Sequence, residues 1–114
     1  MKEKKIIGIR CEPGKYAKVV EIENTLEALQ DLVGGYIECI TQEDGSTIIC
    51  NEEGKLQGLE PCREFKVNGK TVDIIYGSFL IVGTDGEEFA GLSNEQIGRN
   101  MLRYGRARKG GEDA

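Results

Sequence analysis

One stretch of the chain, Cys50 to Arg63, combines charged and turn-forming residues and lies between two apolar runs. Its two basic side chains, Lys55 and Arg63, could together bind a small anion, because ammonium and guanidinium groups pair with phosphate and carboxylate. Asn51 and Glu38 would then contact the hydrogen-bonding edge of that ligand. This hypothesis requires strands on either side to hold the loop still.

A structural interpretation of the same loop stays open beside the functional one. Arg63 could pair with Glu52 or Glu53, while Leu56 and Leu59 attach the loop to the core, so that the segment only holds itself together. The functional hypothesis has these candidate ligand-binding residues: Asn51, Glu52, Glu53, Gly54, Lys55, Arg63, Glu38, Tyr36 and Tyr76.

Catalysis is weakly supported by the residue types present. The chain contains no histidine, which removes the commonest general base and the usual partner of a nucleophilic serine or cysteine. Glu52 and Glu53 are sequence neighbours and would point to opposite sides of a strand, so a carboxylate pair would need Glu38 or Asp73. No glycine-rich phosphate loop and no zinc-ligand spacing occurs. The sequence therefore predicts a protein that is not an enzyme and has no cofactor or metal.

The four cysteines, Cys11, Cys39, Cys50 and Cys62, bear on the compartment. The charged N-terminal residues are not followed by an apolar segment, so no signal peptide is expected. No apolar run approaches the roughly 18 residues of a membrane span. These features predict a cytoplasmic protein with free thiols.

The charge of the chain limits its partners. A formal net charge of −5 disfavours nucleic acid, whose phosphates need a basic face. The acidic surface is either merely solvated or directed at a basic partner protein. The C-terminal end is basic, and it is either a solvated helix end or a contact for an anion or partner; its cations are Arg99, Arg103, Arg106, Arg108 and Lys109.

The first third of the chain predicts strands and one helix. Residues 5–10 form a first strand, and residues 15–23 form either a second strand or an extended connection. Asn24 to Val33 is an amphipathic helix with Asn24 as its N-cap and Gly34 as its C-cap. Its apolar stripe, at helical spacing, would lie on a sheet; the stripe is Leu26, Leu29, Leu32 and Val33.

A hairpin is predicted from Gly35 to Asn51, with Asp44-Gly45 as a two-residue turn. In that register Cys39 faces Cys50 and Glu38 faces Asn51. A disulfide is conceivable there, although free thiols fit a reducing compartment better. Both faces of the hairpin are apolar, so it is either central in the sheet or covered on one side by a second subunit.

The second half of the chain predicts another hairpin, a buried strand and a helix. Asn68-Gly69 suits a type I′ turn, and residues 79–82 are strongly apolar. Residues 73–76 are either strand or a helical turn. Ser93 with Gln96 forms a capping box for the last helix. The fold class is α+β, a small mixed, mainly antiparallel sheet of about five to six strands with two helices packed on it, in one domain over residues 1–105 with a flexible charged tail over 106–114.

Several motifs resemble a known family. The segments LEALQDLVGGYIE, ICNEEGKLQGL, PCR, DIIYGSFLIVG and LSNEQI are similar to the family catalogued as domain of unknown function 3846, across residues 6–102. The resemblance implies a protein of phages, plasmids or integrated mobile elements, without an established activity. Members of that family usually have asparagine at the position of Cys62, so any binding chemistry there is altered.

These observations give two hypotheses of function. The first is a non-catalytic binding module, expected to be a homo-oligomer, that holds a small anionic, nucleotide-like ligand and so counters host defence signalling. The second is an acidic inhibitor that occupies a host or defence protein. The implied partners are a small anion or a host protein, with no membrane.

Overall fold

The computed structural model describes residues 4–108. Within that range the strands are β1 (Lys5–Cys11), β2 (Lys18–Glu23), β3 (Ile37–Thr41), β4 (Thr47–Asn51), β5 (Pro61–Val67), β6 (Lys70–Tyr76), β7 (Phe79–Asp85) and β8 (Glu88–Ala90). The helices are α1 (Leu26–Val33) and α2 (Asn94–Tyr104). Of the predicted tail, residues 109–114 lie outside the described part of the chain.

The main sheet contains six strands, ordered β2-β1-β7-β4-β3, with β8 paired to β7. Strands β5 and β6 form a separate two-stranded hairpin. Every strand pairing among the described residues is antiparallel. The predicted α+β class, with two helices packed on a mainly antiparallel sheet, is confirmed.

Two apolar clusters cover the two faces of the main sheet. One packs α1 on the sheet through Leu29 and Val33. The other includes Tyr104 of α2 and Ile75 of β6. All five residues of β4 are buried, so its apolar pattern on both faces reflects cover from its own chain. β4 therefore needs no second subunit to cover it, while Cys39 of the edge strand β3 is exposed, and the homo-oligomer stays a prediction.

Helix α1 begins one residue later than the sequence predicted. Its N-cap is Thr25, whose hydroxyl accepts from the backbone N–H of Ala28 at 3.1 Å. The predicted N-cap role of Asn24 is wrong, because its buried amide donates to the carbonyl of Phe89 at 3.1 Å. The predicted cap at Gly34 is confirmed by its left-handed backbone.

The register of the β3–β4 hairpin differs from the prediction by one residue. Glu38 lies opposite Cys50, and Cys39 lies opposite Ile49, so the predicted pairs Cys39–Cys50 and Glu38–Asn51 are wrong. The loop contains three residues rather than two, with Gly45 at φ 85° and the Asp44 carboxylate accepting from the N–H of Ser46 at 2.9 Å. This is a type I turn closed by a glycine bulge, which shifts the pairing by one position.

The remaining predicted turns and caps are present. Asn68 and Gly69 both have positive φ in the β5–β6 turn, as type I′ geometry requires. The stretch from residue 73 to 76 is strand, not a helical turn. Ser93 and Gln96 form the expected reciprocal capping box of α2.

Candidate functional site

Arg63 does not face a ligand beside Lys55, and that prediction is wrong. Its side chain is buried, and its Nε donates to the carbonyl of Tyr104 at 2.8 Å. Its two terminal nitrogens donate to the carbonyls of Lys15 at 2.7 Å and Cys62 at 2.9 Å. A buried guanidinium must be compensated by hydrogen bonds, and these carbonyls supply them.

The alternative ion pair of Arg63 with a loop glutamate is also wrong. The ion pairs found among residues 4–108 do not include Arg63. Glu52 and Glu53 are both exposed in the turns that follow β4. Arg63 thus fastens β5 to the end of α2 and to the segment around Lys15.

Six of the nine predicted site residues line one cleft of about 330 Å³ between the β3–β4 hairpin and β6, here called the acidic cleft. They are Glu38, Asn51, Glu52, Gly54, Lys55 and Tyr76. Asp73 adds a third carboxylate to those of Glu38 and Glu52, and Lys55 is the one cation among its lining residues. Three carboxylates against one ammonium make this cleft unsuitable for an anion.

The amide of Asn51 is occupied by the protein itself. Its Nδ2 donates to the carbonyl of Val33 and to the Oε1 of Gln57, both at 3.1 Å. Its Oδ1 accepts from the backbone N–H of Glu53 at 2.7 Å. Asn51 therefore joins the end of α1 to the loop. Because its amide groups are already hydrogen-bonded, the structure does not support the prediction that Asn51 and Glu38 together contact the hydrogen-bonding edge of a ligand.

The other two predicted residues, Tyr36 and Glu53, line a different hollow of about 350 Å³ beside the end of α1. Tyr36 is 71% exposed, so its ring is free of the core. The structure therefore divides the predicted site among three places on the surface.

The loop after β4 is anchored differently from the prediction. Leu56 is 85% exposed and does not attach the loop to the core. Leu59 is half-buried and packs against Gly77. Gly54 lies so close to β6 that a Cβ atom would meet the carbonyl oxygen of Tyr76 at 2.5 Å. Gly54 is thus needed for close approach of two backbones.

A second hollow, of about 230 Å³ and here called the basic groove, lies between β5 and the end of α2. Five of its lining residues are cationic and one is acidic. They are Arg63, Lys66, Arg103, Arg106, Arg108 and Glu64, with Tyr104. The basic C-terminal end was apparent from the sequence, but Lys66 was not predicted, because only the packing of β5 against α2 brings Lys66 into the groove. Lys109 lies outside the described residues.

Hydrogen bonds orient part of the basic groove. Arg103 donates to the Oε1 of Gln42 at 3.2 Å, which also accepts from the hydroxyl of Tyr104 at 3.0 Å. The Nε of Arg108 lies 4.0 Å from a carboxylate oxygen of Glu64. Among the described residues that buried Nε has no hydrogen-bond partner. Arg108 is therefore paired with Glu64 by charge and not by a hydrogen bond from its Nε.

The four thiols are free and poorly suited to act as nucleophiles. Burial raises the pKa of Cys11 and Cys50 to about 12 and that of Cys62 to about 11. Burial and the charge of Glu38 also raise the pKa of the exposed Cys39. A thiolate is the reactive form, and these shifts disfavour it.

Residues 4–108 contain no group of three or more cysteine, aspartate or glutamate side chains placed to hold a metal ion. Among residues 4–108, neither α1 nor α2 is long and apolar enough to cross a membrane.

Fold and surface define a small α+β domain with an acidic cleft and a basic groove at different places on it. The model of the family described as domain of unknown function 3846 matches residues 5–105, and the chain belongs to this family. No curated protein and no solved structure matches this chain.

Proposed function

We propose that this protein is a non-catalytic binding module that holds a small anionic, nucleotide-like ligand in the basic groove. The observation that carries the proposal is the cluster of five cationic side chains around one carboxylate, in a chain whose net charge is −5. Such a local concentration of positive charge raises the local concentration of anions.

Arg63 contributes charge at the base of the groove. This residue is 3% exposed, and its hydrogen bonds to oxygen within residues 4–108 all end on backbone carbonyls, which carry no net charge. Its positive charge is therefore not cancelled by a carboxylate partner within residues 4–108. A phosphate group above it would interact with Arg63 at a distance and with the exposed cations directly.

The size and chemistry of the groove favour a phosphate-bearing group. Its volume of about 230 Å³ could hold one or two phosphate groups, while a nucleoside would extend into solvent. Arginine matches phosphate geometry with paired N–H donors. Groove residues Arg106 and Arg108 are the side chains we assign to this contact.

The biological setting forms part of the same proposal. The family resemblance, rather than the groove, supports an accessory protein of phages or mobile elements that counters host defence by holding a nucleotide signal. A homo-oligomer in the host cytoplasm belongs to that proposal as well.

Calorimetric titration with pyrophosphate and ADP at low ionic strength tests anion binding. We expect the double variant Arg106→Gln/Arg108→Gln to lose about tenfold or more in affinity, since each lost charged hydrogen bond weakens binding. The matched control is Arg99→Gln, which removes the same charge from an exposed position of α2 outside the groove. Equal affinity of the double variant and wild type, or no binding by wild type, would reject the proposal.

A second candidate function is the acidic inhibitor of a host or defence protein. The three carboxylates of the acidic cleft favour it, because a basic surface of a partner would find complementary charge there. Binding through this surface would weaken as salt rises. A complex that forms equally well at low and high salt would contradict it.

A further inference from the structure

The acidic cleft has apolar walls beneath its charged rim. Ile40 comes from β3, Phe65 from β5, and Val72 with Ile74 from β6. The rim carboxylates are Glu38, Glu52 and Asp73. Glu38 lies opposite Cys50 of β4, and after burial the charges of Glu38 and Asp73 help raise the pKa of the Cys50 thiol.

The edge of β6 borders this cleft, whereas β3 contributes only the alternate residues Glu38 and Ile40, which share one face of that strand. Within residues 4–108, β3 pairs with β4 alone and β6 pairs with β5 alone. Five consecutive residues of β6, from Val72 to Tyr76, line the cleft. Because neighbouring side chains of a strand point to opposite sides, a consecutive run of this kind means that β6 presents its edge to the cleft.

A hydrogen bond at Ile74 supports that orientation. The backbone N–H of Ile74 donates to the Oδ1 of Asp73 at 2.7 Å, at an exposed position, instead of to a strand. Charged side chains at sheet edges commonly limit unwanted pairing. Asp73 thus protects the edge of β6, and a partner that neutralises its carboxylate would free the N–H of Ile74.

We propose that the acidic cleft binds an extended basic segment of a partner protein, which adds a strand to the edge of β6 from Val72 to Ile75, short of Tyr76, whose carbonyl oxygen faces Gly54. Backbone hydrogen bonds would supply affinity and alternate side chains would supply specificity, as in other strand-addition complexes. Lysine or arginine side chains lie along Ile40, Phe65 and Val72 with their stems, and reach Glu38 and Asp73 with their charged ends. Charge complementarity selects this occupant, since three carboxylates face one lysine.

This inference gives the second candidate function a defined partner chemistry and is independent of anion binding in the basic groove. The probe is a short fluorescent peptide in which lysine alternates with valine, followed by anisotropy at low ionic strength. We expect the double variant Glu38→Gln/Asp73→Asn to bind it about tenfold more weakly than wild type, because two charge contacts are lost. Glu87→Gln, at an exposed turn outside the cleft, should bind like wild type.

Two further peptides separate strand addition from simple charge attraction. Replacing lysine by glutamine should abolish binding, and N-methylation at alternate residues should weaken it strongly, since it removes backbone donors. Amide NMR shifts should concentrate at residues 38–40 and 72–76. Equal binding of the N-methylated peptide, or shifts located elsewhere, would overturn the proposal. The Arg106→Gln/Arg108→Gln variant should keep full peptide affinity, so the two functions fail separately.

Discussion

The guanidinium of Arg63 is buried, and it donates hydrogen bonds to backbone carbonyls. The carbonyl of Tyr104 lies in the last turn of α2, where the helix dipole favours a cation. Those of Lys15 and Cys62 come from two other segments. One side chain therefore connects three parts of the chain. The sequence had suggested either a ligand contact or an ion pair with a loop glutamate for Arg63.

Replacing Arg63 should destabilise the fold. We expect Arg63→Gln to lower the free energy of unfolding by about 3 kcal/mol or more, because several charged hydrogen bonds are lost and buried carbonyls are left unpaired. Urea unfolding measures the change. Lys66→Gln removes a neighbouring exposed charge and should stay within about 0.5 kcal/mol of wild type. Equal stability of both variants would show that Arg63 does not fasten the fold.

The carboxyl group of Asp44 makes the free energy of unfolding depend on pH in the acidic range. Burial raises the pKa of its carboxyl, but hydrogen bonds from Ser46 and the charges of Arg99 and Arg103 outweigh burial and hold that pKa below 3.8. A carboxyl with a lowered folded pKa stabilises the protein above its unfolded pKa. That contribution is lost as pH falls from 3.8 through the folded value.

Asp44→Asn should remove this part of the pH dependence. We expect the variant to be less stable than wild type at neutral pH, with the difference shrinking below pH 3.8, in urea unfolding over a pH series. The control Asp85→Asn changes an exposed carboxylate and should follow the wild-type profile. A constant difference between Asp44→Asn and wild type at all pH values would contradict the ionic contribution.

At the scale of elements, the β3–β4 hairpin shows where local pattern reaches its limit. The sequence Glu43-Asp44-Gly45-Ser46 suits either a two-residue or a three-residue loop. The side chain of Asp44 decides between them by accepting from the N–H of Ser46. A shift of one residue then exchanges the faces of a whole strand, so Cys39 and Cys50 no longer face one another.

Replacing glycine by alanine should have opposite effects on stability at Gly54 and Gly98. Gly54→Ala should destabilise the protein by about 1–3 kcal/mol, since its Cβ would meet the carbonyl oxygen of Tyr76 at 2.5 Å. Gly98→Ala, inside α2, where apart from the adjoining helix backbone and chain neighbours no atom lies within 4 Å of the added Cβ, should stabilise it by about 0.5–1 kcal/mol. Thermal unfolding of both variants measures these changes. A stabilised Gly54→Ala protein would mean that the loop does not need its close contact with β6.

At the scale of the whole molecule, sequence sufficed for the class of fold and most elements, because apolar periodicity and turn residues act locally. The helix cap at Gly34 and the turn at Asn68 are examples. The site was harder, since it depends on long-range packing. Six of the nine predicted residues, Lys55 among them, do meet in one cleft, but Arg63 turned inward and lines the basic groove between β5 and α2.

Strand β7 lies between β1 and β4 and so joins the two hairpins of the main sheet. It follows six other strands in the chain and is therefore synthesised after them. Until residue 85 emerges, β1–β2 and β3–β4 remain two unconnected halves with exposed inner edges. Folding of this sheet is therefore a closing event, in which a strand synthesised after both hairpins inserts at the middle of the sheet.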